Sequence, residues 1–291
     1  MRRSRIALVA AAAASALLFS GCAGDAGTPG GDEAEPSVEE APEFDEGTTM
    51  AELAEAGSIT IGTKFDQPLF GLVGPSGEPE GFDVEIGKII AGKLGISPDN
   101  IEWVETVSAN REPFIEQGEV DIVIATYTIN DERKEVVDFA GPYFEAGQSI
   151  LVLESNEDIQ SEDDLVGQPV CSVTGSTPAA NLKELGAEVI ETDTYSNCLE
   201  PVRSGQAVAV STDNVILAGL VDQNPGEFKI VGDPFTQEPY GIGLQKGDDE
   251  FRDFINDVLE ESYEDGTYEE AWNATAGTVL EFRDPPAVDR Y

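Results

Sequence analysis

Two short stretches of this chain carry the residue types needed to hold a small anion. Thr126-Tyr127-Thr128-Ile129-Asn130-Asp131-Glu132-Arg133 offers hydroxyls, backbone groups and, in Arg133, a planar guanidinium fork that matches a carboxylate. Gly175-Ser176-Thr177 stands between a strand pattern and a helix pattern, where the free N–H groups of a helix N-terminus can face an anion. Each has a plainer reading beside it: Arg133 as a helix-face arginine paired with Glu132 or Glu135, and Ser176 or Thr177 as a helix cap. Other chemistry finds little support. The sequence has no histidine, which removes His triads, His metal sites and His general bases together. No nucleophile–base pair or metal-ligand spacing stands out, and nothing calls for a cofactor. Phe65, Phe70, Phe82 and Tyr127 are candidates to wall a pocket, with core packing the better fate for Phe82.

The elements that must position these residues alternate between strand and helix. Residues 58–63 and 101–104 read as strands, 83–94 and 110–117 as helices closed by Gly95 and Gly118. Residues 120–125 (VDIVIA) form a nearly continuous apolar run, the pattern of a strand covered by helices on both sides of its sheet. The rhythm resumes at 168–173, 179–185, 188–192, 197–204 and 207–211, which argues for an α/β fold with parallel sheets. Thr126–Arg133 follows a buried strand, at the carboxyl end where an α/β sheet opens its ligand crevice. Two stretches break the rhythm, Gly141-Pro142-Tyr143-Phe144 and Asp233-Pro234-Phe235-Thr236, each read as a turn leading into an apolar strand. They bracket roughly ninety residues, a domain-sized insertion joined by two adjacent strands, which is a hinge architecture. Residues 251–259 and 262–272 read as closing helices.

The first residues serve export. Arg2, Arg3 and Arg5 precede an alanine-rich apolar run from Ile6 to Phe19, too short to remain as a membrane span, and Leu18-Phe19-Ser20-Gly21-Cys22 resembles a bacterial lipobox in which Cys22 is lipidated after cleavage. Residues 1–21 are therefore expected to be a lipoprotein signal peptide. Residues 22–50 are rich in Gly, Pro, Ala and acid, and read as an acidic disordered tether. The remainder divides into lobe 1 (51–146 and 240–291) and lobe 2 (147–239). The only other cysteines, Cys171 and Cys198, are an even pair in an exported chain, so a disulfide is expected. With 58 acidic against 16 basic residues and a formal charge of −42, nucleic acid is an improbable partner. Any base gathered in one place then stands out.

Four segments, GTKFDQPLFG, EGFDVEIGKIIAGKLG, GEVDIVIATYTINDERKEVVDFAGPYF and DGTYEEAW, in this order, resemble the polar-amino-acid branch of the bacterial extracellular solute-binding proteins, family 3, and within it the glutamate-binding members. The likeness runs from Ile59 to about Trp272. It implies a two-lobed, periplasmic-binding-protein-like clamshell (type II), each lobe a mostly parallel sheet flanked by helices, with an amino acid held between them. It implies that Arg133 grips the ligand α-carboxylate with help from Thr128, that Thr126 belongs to the same wall, and that Gly175, Ser176 and Thr177 complete the clamp from the second lobe. Asp213 matches the acid that holds the ligand ammonium. Ser108 and Arg111, in Ser108-Ala109-Asn110-Arg111, match the pair that holds a side-chain carboxylate. Lys64 takes the place of a basic residue that is arginine in those relatives. The implied role is capture of glutamate or aspartate, by a monomer anchored outside the cell membrane by lipidated Cys22, for ABC permease subunits. The rival readings are an amino-acid sensor, a binder of glutamine or asparagine, and a dehydratase on the same fold.

Overall fold

A computed structural model describes residues 36–291; the expected signal peptide, Cys22 and the start of the expected tether lie outside the described residues. The first part of the body runs α1 (Thr49–Ala56), β1 (Ile59–Thr63), β2 (Asp66–Gln67), β3 (Gly71–Val73), β4 (Pro79–Glu80), α2 (Phe82–Lys93), β5 (Ile101–Glu105), α3 (Arg111–Gln117), β6 (Ile122–Val123), α4 (Asp131–Lys134) and β7 (Val137–Ala146). The second runs β8 (Gln148–Leu153), β9 (Pro169–Val173), α5 (Thr177–Leu185), β10 (Glu188–Thr192), α6 (Leu199–Arg203), β11 (Ala209–Asp213), α7 (Asn214–Gln223) and β12 (Phe228–Val231). The chain then returns through β13 (Glu238–Gln245), α8 (Asp249–Asp265) and α9 (Thr267–Ala274).

Two five-stranded sheets result, ordered β5-β1-β6-β13-β7 and β10-β9-β11-β8-β12, with a small third sheet β2-β3-β4. Each large sheet is mixed. β1 pairs in parallel with β5 and β6, and β9 with β10 and β11, whereas β13 runs antiparallel to β6 and β7, and β8 antiparallel to β11 and β12. The parallel half matches the expectation. The antiparallel half consists of the strands that carry the chain from one sheet to the other, at Gly147 and again between Val231 and Glu238, and these enter their sheets against the crossover direction.

Helix ends follow local chemistry. Thr48, Ser176 and Asp248 cap α1, α5 and α8 by accepting from Ala51 N, Ala179 N and Phe251 N. In α8, Phe251, Ile255, Val258, Leu259 and Ser262 are buried at helical spacing, so one face covers the first sheet. The expected break near residue 260 falls instead at Gly266, whose φ of 90° ends α8 and starts α9. The core of the first lobe is aromatic: Phe70, Phe82, Phe144, Tyr240 and Trp272 contact one another, with Phe144 stacked on Trp272 at 5.2 Å between centroids. Phe70 and Phe82 thus pack the core and do not wall a pocket, and Phe65 is half-buried.

Gly141-Pro142-Tyr143-Phe144 is not a turn; it lies inside the ten-residue strand β7. The register with β13 shifts here between Tyr240 and Ile242, and Gly141 finds other partners: its N–H donates to Asn256 Oδ1 at 2.8 Å and its carbonyl accepts from Asp289 N at 2.8 Å. Proline can therefore sit in the strand without orphaning a backbone group. Residues 36–48, inside the segment expected to be tether, lie against the body: Glu39 N donates to Gly92 O at 2.9 Å and the Phe44 ring meets Phe254 edge-on at 5.5 Å. One aromatic anchor, one backbone bond and the Lys93–Glu39 ion pair at 3.4 Å dock a segment whose composition reads as disordered. Cys171 and Cys198 form the expected disulfide, joining β9 to the turn before α6. Among the described residues no helix is long and apolar enough to cross a membrane.

Candidate functional site

The carboxyl ends of β1, β6 and β11 meet the N-terminus of α5 at the crevice between the two sheets. Ser108, Arg111, Thr126, Thr128, Ser176, Thr177, Tyr195 and Asp213 line a small cavity there. Of the ten residues expected at the site, seven line this cavity; Lys64, Arg133 and Gly175 stand directly behind that wall and are bonded to it.

The two arginines share a platform and an aim. Their guanidinium carbons lie 4.3 Å (Arg111) and 5.0 Å (Arg133) from the centroid of the buried Tyr127 ring, whose face favours cations. Arg111 is fixed by the carbonyls of Ser108, Ala125 and Thr126, at 3.2, 3.2 and 3.3 Å, and Arg133 by that of Thr128 at 2.6 Å. Each keeps one Nη2 pointing across the crevice, and both reach one acceptor, the Gly175 carbonyl oxygen, at 3.4 Å for Arg111 and 3.1 Å for Arg133. Arg133 also pairs through Nε with Glu112 at 3.1 Å, and not with Glu132 or Glu135. Lys64 donates to Ser108 Oγ at 2.9 Å. The three cations are 3, 2 and 7 % exposed for Lys64, Arg111 and Arg133. Among the described residues, Glu112 is their single ion-pair partner.

That imbalance shows in their protonation. Burial, and next the charge of Arg111, lower Lys64 to about 7. Burial, and next Arg133, lower Arg111 to about 10. Stacking buried like charges is unfavourable unless an anion joins them. The opposite wall carries the reverse problem. Burial, and next the charge of Glu238, raise Asp213 to about 7. Its Oδ2 accepts from Tyr240 OH at 2.6 Å, and its Oδ1 is buried without a partner. The crevice thus has cations on one wall and a half-satisfied carboxylate on the other.

The supports beneath the wall come from positions to which sequence reasoning gave no role. Asp83, in the GFD turn that opens α2, accepts from Thr126 N at 2.8 Å and Tyr143 OH at 2.6 Å. It holds Thr126 at a φ of 45°, a left-handed conformation rare for threonine, and so directs the carbonyls that fix Arg111. Thr126 Oγ1 bonds to Gln67 at 2.9 Å. Glu238, at the start of β13, accepts from Thr128, Thr177 and Thr236 hydroxyls at 2.7, 2.6 and 2.9 Å. Ser176 serves as a helix cap, as its plainer reading has it, and lines the cavity as well.

Three further contacts hold the lobes against each other. Asp66 Oδ2 accepts from Tyr195 N at 3.0 Å, Gly219 lies against Pro68, and Gly175 lies against Ala109. A Cβ at Gly175, whose φ is 78°, would stand 2.8 Å from Ala109 Cα, so only glycine permits this approach. The cavity centre has space for about one water-sized sphere, about 10 Å³, so entry of anything larger requires the lobes to part.

Comparison with known proteins identifies relatives of this chain. The glutamate-binding protein GluB of Corynebacterium efficiens is 44% identical over 227 residues, 74% of this chain and 77% of that protein. The ABC transporter glutamine-binding protein GlnH of Bacillus subtilis is 40% identical, over 77% of this chain and 83% of its own. Among solved structures, an ancestral arginine-binding protein bound to glutamine superposes with a TM-score of 0.71 at 40% identity, covering 75% of this chain and 97% of that one. Residues 59–274 match the model of one family across both lobes, and the chain belongs to the bacterial extracellular solute-binding proteins, family 3.

Proposed function

We propose that this solute-binding protein captures an acidic amino acid, L-glutamate in preference to L-aspartate, and delivers it to the permease of an ABC importer. The observation that carries the reading is the buried trio Lys64, Arg111 and Arg133, of which only Arg133 has a carboxylate partner among the described residues, and whose two guanidinium groups aim at one point. The α-carboxylate takes the place of the Gly175 carbonyl at Arg133. The side-chain carboxylate lies toward Arg111, Ser108 and Lys64, and the ammonium toward Asp213. Each charge-assisted bond contributes roughly 1.5 to 3 kcal/mol. A relative named for glutamate binding and another named for glutamine binding support the amino-acid class.

One observation favours glutamine as a second reading. Burial and Arg111 hold Lys64 near 7, and a neutral amine tolerates an amide as readily as a carboxylate. Titration calorimetry of dialysed protein against the twenty amino acids decides between them. Glutamate should bind most tightly, Arg133→Ala should lose every ligand, and Arg111→Ala should mainly erode the preference for glutamate over glutamine. Indifference of the wild-type protein to both acidic amino acids would sink the reading. Anchoring through Cys22 belongs to the same proposal, and mass spectrometry of the membrane-associated protein should find diacylglycerol on that thiol.

A further inference from the structure

Glu238 is a buried carboxylate that neither the sequence reading nor the comparisons assign a role. It lies at the first position of β13, the strand by which the chain returns from the second sheet to the first. Its Oε2 accepts from Thr128 Oγ1 on the first lobe at 2.7 Å and from Thr177 Oγ1 at the N-terminus of α5 on the second at 2.6 Å, while its Oε1 accepts from Thr236 Oγ1 at 2.9 Å. A hydroxyl has one proton, and an ionised carboxylate only accepts. Thr128 and Thr177 therefore turn their protons toward Glu238 and have only lone pairs left for the cavity that both line. In this arrangement neither hydroxyl can donate to a ligand carboxylate, a departure from the carboxylate-gripping role that the family likeness implies for Thr128 and Thr177. Both can accept from a ligand N–H.

We infer that Glu238 is the positioning residue for the ligand ammonium: it orients the Thr128 and Thr177 hydroxyls as acceptors, one from each lobe, beside the unpartnered Oδ1 of Asp213. Three acceptors, two threonine oxygens and one carboxylate oxygen, then match the three N–H bonds of an α-ammonium. The charge of Glu238 works in the same direction. It destabilises the ionised form of Asp213 until a cation arrives, so the ammonium relieves a repulsion as well as making bonds. Because Thr128 and Thr177 come from different lobes, the ammonium also joins the lobes, and free amino acids are distinguished from dicarboxylates of the same length that lack nitrogen. This inference rests on the proposed reading of the site and assigns its second pole.

The test is Glu238→Gln, measured by calorimetry with L-glutamate, L-glutamine and glutarate, alongside the ligand-free unfolding midpoint. Both amino acids should weaken together by roughly tenfold or more, the size of one lost charge-assisted bond. Their ratio should hold, glutarate should bind at least as well as to the wild type, and the ligand-free midpoint should not fall. Unchanged glutamate affinity, or glutarate weakened in step with a lowered midpoint, overturns the inference and leaves Glu238 as a structural tie. Wild-type protein that binds no acidic amino acid would instead overturn the reading of the site itself.

Discussion

At the residue scale the site is strained by charge, and that makes its titration informative. For Asp213, burial and Glu238 raise the folded pKa to about 7 from an ordinary 3.8. Between those values the folded state holds a proton that the unfolded state has released, so stability falls as pH rises from about 4 to about 7. Asp213→Asn removes that penalty. The variant should unfold at a higher temperature than the wild type at pH 8 and at nearly the same temperature at pH 4, while losing amino-acid binding; a lower midpoint at pH 8 would contradict the assignment. Lys64 works in the opposite sense. Its folded pKa is lowered to about 7 from 10.5, so its contribution to stability rises with pH across that interval. A ligand carboxylate beside it should restore the proton. Glutamate binding at pH 8 should therefore take up more protons in the wild type than in Lys64→Met, as calorimetry in buffers of different ionisation enthalpy would show. The cations were legible in the sequence because a chain with 58 acids makes each base conspicuous. The same abundance hid Glu238 and Asp83, whose surroundings, not their type, set them apart.

At the element scale, most strands and helices are legible because their apolar spacing has one period. The exceptions have physical causes. α7 buries Val215, Ile216, Leu217, Gly219 and Leu220 on several sides and so lacks a contrasting polar face. β2, β3 and β4 are two or three residues long, below what alternation can signal. The turn before α6 illustrates how elements cooperate. The Cys171–Cys198 disulfide holds it to β9, and Asp66 from the other lobe accepts from its Tyr195 N. Asp66→Ala should weaken both glutamate and glutamine by speeding release, because it removes a bond across the crevice; stopped-flow displacement would report it, and an unchanged release rate would contradict that role. Replacing both cysteines with serine should cost roughly 3 kcal/mol on the loop-entropy view, read as a fall in the denaturation midpoint.

At the scale of the whole molecule, a formal charge of −42 would face the anionic ligand proposed above. A surface of that sign repels an anion that the cationic wall attracts, and the two act over different ranges. Mobile ions screen the long-range field, with a Debye length near 10 Å at 0.1 M salt, but reach the buried cations poorly. Association of glutamate should therefore accelerate as salt is raised while dissociation changes little, the reverse of electrostatic steering. Stopped-flow kinetics at several ionic strengths checks this, and an association rate that falls with salt would show that the local field of the cationic wall extends beyond the mouth of the crevice. The two-lobed plan was legible because an insertion of domain size between paired strands has few other solutions. The docking of residues 36–48 was not, since composition alone does not reveal where a single Phe44 finds its partner.

The approach of Gly175 to Ala109 has a practical use. Swapping that glycine for alanine inserts a doorstop of one methyl group, which strains its own backbone and collides with the opposite jaw. The jaws would then stop short of full engagement with every binding side chain retained. Such a variant offers a graded, weaker receptor of unchanged preference, suited to sensing amino acid where the natural grip would already be saturated.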